Sequence, residues 1–276
     1  MPKLLGVMQG RLLPKYKGRY QAHPFGYWQN EFLYAANFGL DCIEYILDFE
    51  NAVSNPLLTK KGRNEIKSHV ARTGVKVISI CADYFIEAPL HAEDDKQVIE
   101  SLSILHQLIN ASVDLGVKDI VIPCVDQSSI KNFLLRDRFQ EVLTEIIPVA
   151  QKNSINLSLE TDLSPSKFAE LLNKIDSKYV TVNYDIGNSA SHGYDPVEET
   201  AAYGERISDI HIKDRVFGGG SVKLGNGDAD IPGFFKLLER YDYNGPLIMQ
   251  AYRDAEGISI FKEQIDWISQ YIVRAT

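Results

Sequence analysis

The sequence predicts a single (β/α)8 barrel over residues 1–276. Three observations lead there. Short β-branched runs alternate with longer segments of helical period, and the alternation repeats eight times. No Pro/Ser-rich linker or low-complexity stretch divides the chain, and 276 residues is an ordinary length for one barrel. The turn after the first run reads Met8-Gln9-Gly10-Arg11, which lacks the G-x-G-x-x-G of an open nucleotide-binding sheet.

The elements follow in order. A strand at Leu4–Met8 leads through a long loop to a helix over Tyr27–Phe38, which Gly39 closes. The strand Cys42–Ile46 precedes the helix Lys60–Thr73, closed by Gly74, and the strand Lys76–Cys81 precedes Lys96–Leu115, closed by Gly116. Glycine suits these ends because the residue after a helix often takes a left-handed conformation. The strand Asp119–Ile122 is followed by the helix Ile130–Lys152, and Asn156–Glu160 by Pro165–Lys174. Val180–Tyr184 then precedes Pro196–Tyr203. Ser164-Pro165 and Asp195-Pro196 pair a capping side chain with a first-turn proline. The last strands, Ile207–His211 and Pro246–Gln250, lead to helices at Ile231–Arg240 and Phe261–Tyr271.

Bulk properties narrow the function. A chain 45% hydrophobic and 24% charged can bury a large core. A net charge of -8 and a pI near 5.3 disfavour nonspecific nucleic-acid binding, which needs many cations to neutralise phosphates. Three cysteines, Cys42, Cys81 and Cys124, form no paired framework and read as buried reduced thiols in a cytoplasmic protein. The apolar start of the chain is too short for a signal peptide, and no run reaches membrane length.

Strand ends carry the chemistry. In a barrel they converge on one face, where active sites lie. Leu157-Ser158-Leu159-Glu160, Val182-Asn183-Tyr184-Asp185 and Ser208-Asp209-Ile210-His211 each finish on a metal-binding side chain, and Leu247-Ile248-Met249-Gln250 finishes on a glutamine. Hard oxygen ligands with one imidazole suit Mn2+, Mg2+, Co2+ or Zn2+. The competing reading makes these residues caps and hydrogen-bonding groups at a polar barrel mouth.

Five segments carry a family likeness: Leu159-Glu160-Thr161-Asp162, Tyr184-Asp185-Ile186-Gly187-Asn188, His211-Ile212-Lys213-Asp214, Leu224-Gly225-Asn226-Gly227-Asp228-Ala229-Asp230 and Gly245-Pro246-Leu247-Ile248-Met249-Gln250. Over almost its whole length the chain resembles the xylose-isomerase-like TIM-barrel superfamily of sugar and sugar-phosphate isomerases and epimerases. The likeness is greatest to its pentulose-phosphate and ketohexose 3-epimerases. It implies a cation held by Glu, Asp, His and Glu on strands five to eight. The two Glu residues act as acid and base on opposite faces of a substrate carbon, through a cis-enediolate.

On that pattern Glu160, Asp185 and His211 are ligands and Glu160 is the base. Gln250 departs from it, offering a neutral carbonyl oxygen as a weak ligand or substrate contact and accepting no proton. The expected activity is metal-dependent isomerisation or epimerisation of a small sugar or sugar phosphate. The alternatives are an inosose-type dehydratase and a catalytically reduced sugar-binding barrel. DNA-repair endonucleases share the superfamily, but they use a multi-metal cluster with many more His ligands, whereas only 6 His occur here and only His211 lies at a matching strand end.

Substrate contacts are expected from Glu44, His23, Asn188, Lys213 and Arg253, with His192 a candidate extra ligand. Asp83 and Asp126 are expected to line the pocket. The basic first loop, with Arg11, Lys15, Lys17, Arg19 and Tyr20, reads as a lid or anion grip, and the amides of Gly225–Asp228 as a loop-positioning or phosphate-binding turn. A homo-oligomer is common in such proteins.

Overall fold

The computed structural model describes residues 3–241, 243–253 and 257–272. Eight strands are β1 (Leu5–Met8), β2 (Cys42–Ile46), β3 (Lys76–Cys81), β4 (Asp119–Cys124), β5 (Asn156–Thr161), β6 (Val180–Asp185), β7 (Ile207–Ile212) and β10 (Leu247–Met249). All run parallel and close into a barrel in the order β1-β10-β7-β6-β5-β4-β3-β2. The segments of helical period pack outside it. They form α1 (Asn30–Asn37), α2 (Lys60–Thr73), α4 (Asp95–Leu115), α5 (Phe133–Asn153), α6 (Pro165–Ile175), α8 (Pro196–Tyr203), α9 (Ile231–Leu238) and α10 (Ser259–Ile268). Among the described residues no helix is long and apolar enough to cross a membrane.

Besides short 3-10 turns, three small elements among the described residues escape the sequence pattern. They are α3 (Tyr84–Glu87), α7 (Ile186–His192) and a hairpin of β8 (Asp214–Arg215) and β9 (Ser221–Val222). All are too short to establish a period. The first helix starts later than Tyr27, because the amides of Tyr27 and Trp28 both turn back to the Pro24 carbonyl.

Two apolar regions hold the barrel. The larger lies between strands and helices and includes Leu157, Leu159, Val180, Val182, Phe234 and Phe261. The smaller fills one side of the barrel interior with Met8, Cys42, Ile46, Cys81, Val121 and Ile248. Side chains alternate along each strand. Leu157 and Leu159 therefore join the outer region, while Ser158 and Glu160 take the opposite face. The interior side formed by β5, β6 and β7 is polar, with buried Ser158, Glu160, Asn183, Asp185, Asp209 and His211. All three cysteines are buried and unpaired by disulfides.

Gly6 faces the apolar side of the interior at a point of contact. A Cβ there would lie 2.4 Å from Cys42 Sγ and 2.9 Å from both the Cys42 carbonyl oxygen and Ile248 Cδ1. Gly6→Ala is expected to destabilise the barrel by roughly 1–3 kcal/mol through overpacking. The measurement is a denaturant midpoint that falls while the transition slope is unchanged.

Candidate active site

β6 and β7 set the centre of the site, because their register pairs Asp185 with His211. Ligand atoms of Glu160, Asp185 and His211 all lie within 4.8 Å of one another, and all three residues are buried. Asp185 also caps α7, its Oδ1 accepting from the Asn188 amide at 2.8 Å. That cap explains the Asp-x-Gly-Asn spacing. Gly187 lets α7 approach the chain after β7, since a Cβ would lie 2.8 Å from Lys213 Cγ. Asn188 is thereby aimed inward, and its Nδ2 donates to Glu160 Oε1 at 2.6 Å. Its Oδ1 accepts from Lys213 Nζ at 3.1 Å and from Arg215 Nη1 at 2.7 Å. Two cationic donors on one atom fix which way the amide faces. Lys213 Nζ lies 3.2 Å from Asp185 Oδ2 as well.

His211 is held from below. Its Nε2 meets Glu44 Oε1 at 2.8 Å, and Glu44 Oε2 accepts from Ser79 Oγ at 2.6 Å. A carboxylate only accepts, so Nε2 carries the proton and Nδ1 is turned toward Asp185, 4.0 Å from Oδ2. Nδ1 is buried without a hydrogen-bond partner among the described residues. Burial alone would lower the affinity of this imidazole for a second proton. The charge and hydrogen bond of Glu44, with Glu160 and Asp209 nearby, outweigh it and raise His211 to about 10. Burial first, then Asp185, raises Glu160 to about 7 against the pull of His211 and Lys213.

The amide of Gln250 is oriented by a polar chain. Burial lowers Arg11 to about 10, which leaves it a cation near neutrality and a donor only. Arg11 Nη2 donates to Gln21 Oε1 at 3.1 Å, and Gln21 Nε2 donates to Asp83 Oδ2 at 3.1 Å. Gln21 therefore presents its oxygen to Gln250, whose Nε2 donates at 2.9 Å. Gln250 Oε1 is left buried and without a hydrogen-bond partner among the described residues. Two unpartnered polar atoms, His211 Nδ1 once it has lost its proton and Gln250 Oε1, with two buried carboxylates make a donor set that suits a divalent cation.

A cavity of about 300 Å³ opens above these groups. Gln21, Asp83, Asp126, Glu160, Asp162, Asn188, His192, Lys213, Arg215 and Gln250 form its polar walls, with Ile86, Pro123 and Val125 between them. Its size lies at the small end of ligand pockets.

The sequence-derived site residues fall into two groups. Glu160, Asp185, His211, Gln250, Asn188 and Lys213 come together as described. Glu44, His23 and Arg253 do not line the cavity. Glu44 is wholly buried beneath it because the strand period turns its side chain inward, onto His211. His23 is buried in the first loop against Gln9 and the Phe25 edge, and burial lowers it to about 3, so it stays neutral. Arg253 donates to the carbonyls of Arg11 and Gly257 and stacks on Tyr20. His192 reaches the cavity wall but lies outside the ligand cluster.

Two loop expectations change. Lys17 pairs with Glu50 and Arg19 with Asp48 at 3.1 Å, so these cations tie the first loop down. The amides of Gly225, Gly227 and Ala229 all donate to the Asp214 carboxylate, at 2.9, 2.9 and 3.2 Å, which commits them to a side chain instead of a phosphate. Sequence reasoning does not single out Gln21 or Asp162 as wall residues. Gln21 lies in an irregular loop where no period announces it, whereas Asp162 falls inside a segment that carries the family likeness.

Comparisons with known proteins agree with this architecture. The family model described as xylose isomerase-like TIM barrel matches residues 32–271. The L-ribulose-5-phosphate 3-epimerase UlaE of Salmonella paratyphi A is 26% identical over 261 residues, covering 90% of this chain and 91% of that protein. Crystalline D-psicose 3-epimerase, solved in the presence of D-fructose, superposes with a TM-score of 0.77 at 12% identity, covering 99% of this chain and 100% of the other. The IOLI protein, solved with a zinc atom, gives 0.75 at 17% identity and covers 99% of each chain.

Proton competition gives a test of the donor set. A cation needs Glu160 ionised and His211 Nδ1 unprotonated. Below about pH 7 both protons must be displaced, and between about 7 and about 10 only that of His211. Affinity for Mn2+ or Zn2+ should therefore rise with pH, by up to about tenfold per unit for each proton displaced. Calorimetry in buffers of different ionisation enthalpy should find proton release at pH 6 and less at pH 8. An affinity flat over that range would contradict the assignment.

Proposed function

Because this chain belongs to the xylose isomerase-like TIM barrel family, we propose that it is a metal-dependent sugar or sugar-phosphate isomerase or epimerase with Glu160 as its base. The observation that carries this reading is the convergence of Glu160, Asp185 and His211 ligand atoms beneath a polar cavity. Glu160, Asp185, His211 and the Gln250 carbonyl would hold the cation, which would polarise a substrate carbonyl and its neighbouring hydroxyl.

The side chains divide the remaining work. Glu160, raised to about 7, is suited to take and return a proton near neutrality. Asn188 fixes its carboxylate by the 2.6 Å hydrogen bond. Lys213 and Arg215 put positive charge on the cavity wall, where negative charge on an enediolate oxygen would develop. Glu44 keeps the imidazole of His211 turned toward the centre. The epimerase names of UlaE and of D-psicose 3-epimerase support acid–base chemistry on a ketose. The zinc of the IOLI protein supports a cation of this kind.

Incubation with Mn2+, Mg2+, Co2+ or Zn2+ and a panel of ketoses and their phosphates, followed by NMR, is the direct assay. Glu160→Gln is expected to lower kcat/KM by roughly 10²–10⁴-fold, the usual contribution of a general base. Retained activity in that variant, or no cation binding by the unaltered protein, would sink the proposal. Cation and sugar binding without turnover would favour the catalytically reduced barrel.

A further inference from the structure

The cavity contains a carboxyl group that the chemistry above does not use. Asp83 follows β3 and stands on a different wall from Glu160 of β5, with Pro123 and Val125 of the β4 segment between them. Both carboxyls line the same cavity. Asp83 lies outside the ligand cluster. Its side-chain contacts are with neutral groups, Gln21 Nε2 at 3.1 and 3.5 Å and Cys81 Sγ at 3.2 Å.

The other carboxyls of the cavity wall are placed differently. Asp162 is engaged by Ser129 at 2.9 Å and by Lys131 at 3.3 Å. Asp126 is exposed to solvent. Asp83, half-buried, therefore combines access to the cavity with neutral hydrogen-bond partners, and burial raises its affinity for a proton. It is also joined to Gln250 through the single side chain of Gln21.

We infer that Asp83 is the second proton-transferring residue of the site, supplying the acid that Gln250 lacks. This inference rests on the enediolate reading proposed above. Glu160 removes the proton from the substrate carbon, and the electron pair of that C–H bond passes into the enediolate. Asp83 gives its carboxyl proton to the other face of the same carbon, forming the new C–H bond. Asp83 ends as a carboxylate and Glu160 as an acid. Exchange with water through the cavity restores both.

The test uses the full chain loaded with Mn2+, with L-ribulose 5-phosphate and D-fructose as probes in D2O. Proton NMR follows deuterium entering recovered substrate and the appearance of the C3 epimer. Asp83→Asn retains an oxygen to accept from Gln21. It is expected to keep exchange within about threefold while epimer formation falls at least about 100-fold, and Asp83→Glu should restore some of the loss. Epimer formation within a few-fold of the unaltered protein would overturn the role of Asp83. So would equal loss of exchange and epimer in Asp83→Asn, or aldose formation without epimer in the unaltered protein. An unaltered protein that exchanges no deuterium into either probe would instead overturn the enediolate reading itself, and the role of Asp83 with it.

Discussion

The structure depends on keeping buried negative charge compensated at the open end of the barrel. Glu44, Glu160, Asp185 and Asp209 are all buried on the interior side of their strands. An isolated carboxylate in such a place would be very costly, and each must find hydrogen bonds, a counter-charge or a proton. His211 touches two sides of this problem, bonded to Glu44 below and standing beside Asp185 above. Lys213 and Arg215 bring cations from the chain after β7, and Asn188 connects them to Glu160. A divalent cation would complete the same compensation, with Nδ1 of His211 giving up its proton. Charge balance and ligand geometry are thus one requirement.

Three of these four carboxyls stand on β5, β6 and β7, and Glu44 stands on the side of the barrel that is otherwise largely apolar. Met8, Cys42, Ile46, Cys81, Val121 and Ile248 pack the interior on the β1–β4 and β10 side. Close packing of this kind resists deformation, and it gives the polar strands a fixed frame. The short α7 continues the frame into the site, because Asp185 ends a strand, caps a helix and faces the centre at once. In the next loop Asp214 has a comparable role, gathering three backbone amides.

Much of this is legible in the sequence, for reasons that can be named. A period of two along β5 separates Leu157 and Leu159 from Ser158 and Glu160, so the strand announces both its faces. Barrel topology then brings strand ends together whatever their distance in the chain. Side-chain direction beyond the strands is less accessible. Glu44 follows the strand period but is buried beneath the cavity lining, and nothing in Cys42-Ile43-Glu44 conveys depth. His23, Gln21 and Arg11 belong to an irregular loop, where position follows from tertiary hydrogen bonds such as that of Gln21 to Asp83. The same limit hides the use of the Gly225 and Gly227 amides, since their acceptor lies at Asp214 in the preceding hairpin.

Gln250 shows why one substitution in a family pattern has to be considered with its neighbours. A glutamate there would set a second acceptor against Gln21 Oε1, which already faces Gln250 Nε2 at 2.9 Å. Turning Gln21 over would relieve that contact but would withdraw its Nε2 donor from Asp83 and its oxygen from Arg11 Nη2. Protonating the glutamate would relieve it too, at the expense of the charge that distinguishes glutamate as a ligand. The glutamine avoids the conflict by donating outward and leaving an oxygen for the centre. Arg11, Gln21, Asp83 and Gln250 are consequently a consistent set of donors and acceptors. Within that set the acidic function resides on Asp83, one side chain away from the position where the family pattern has its second glutamate.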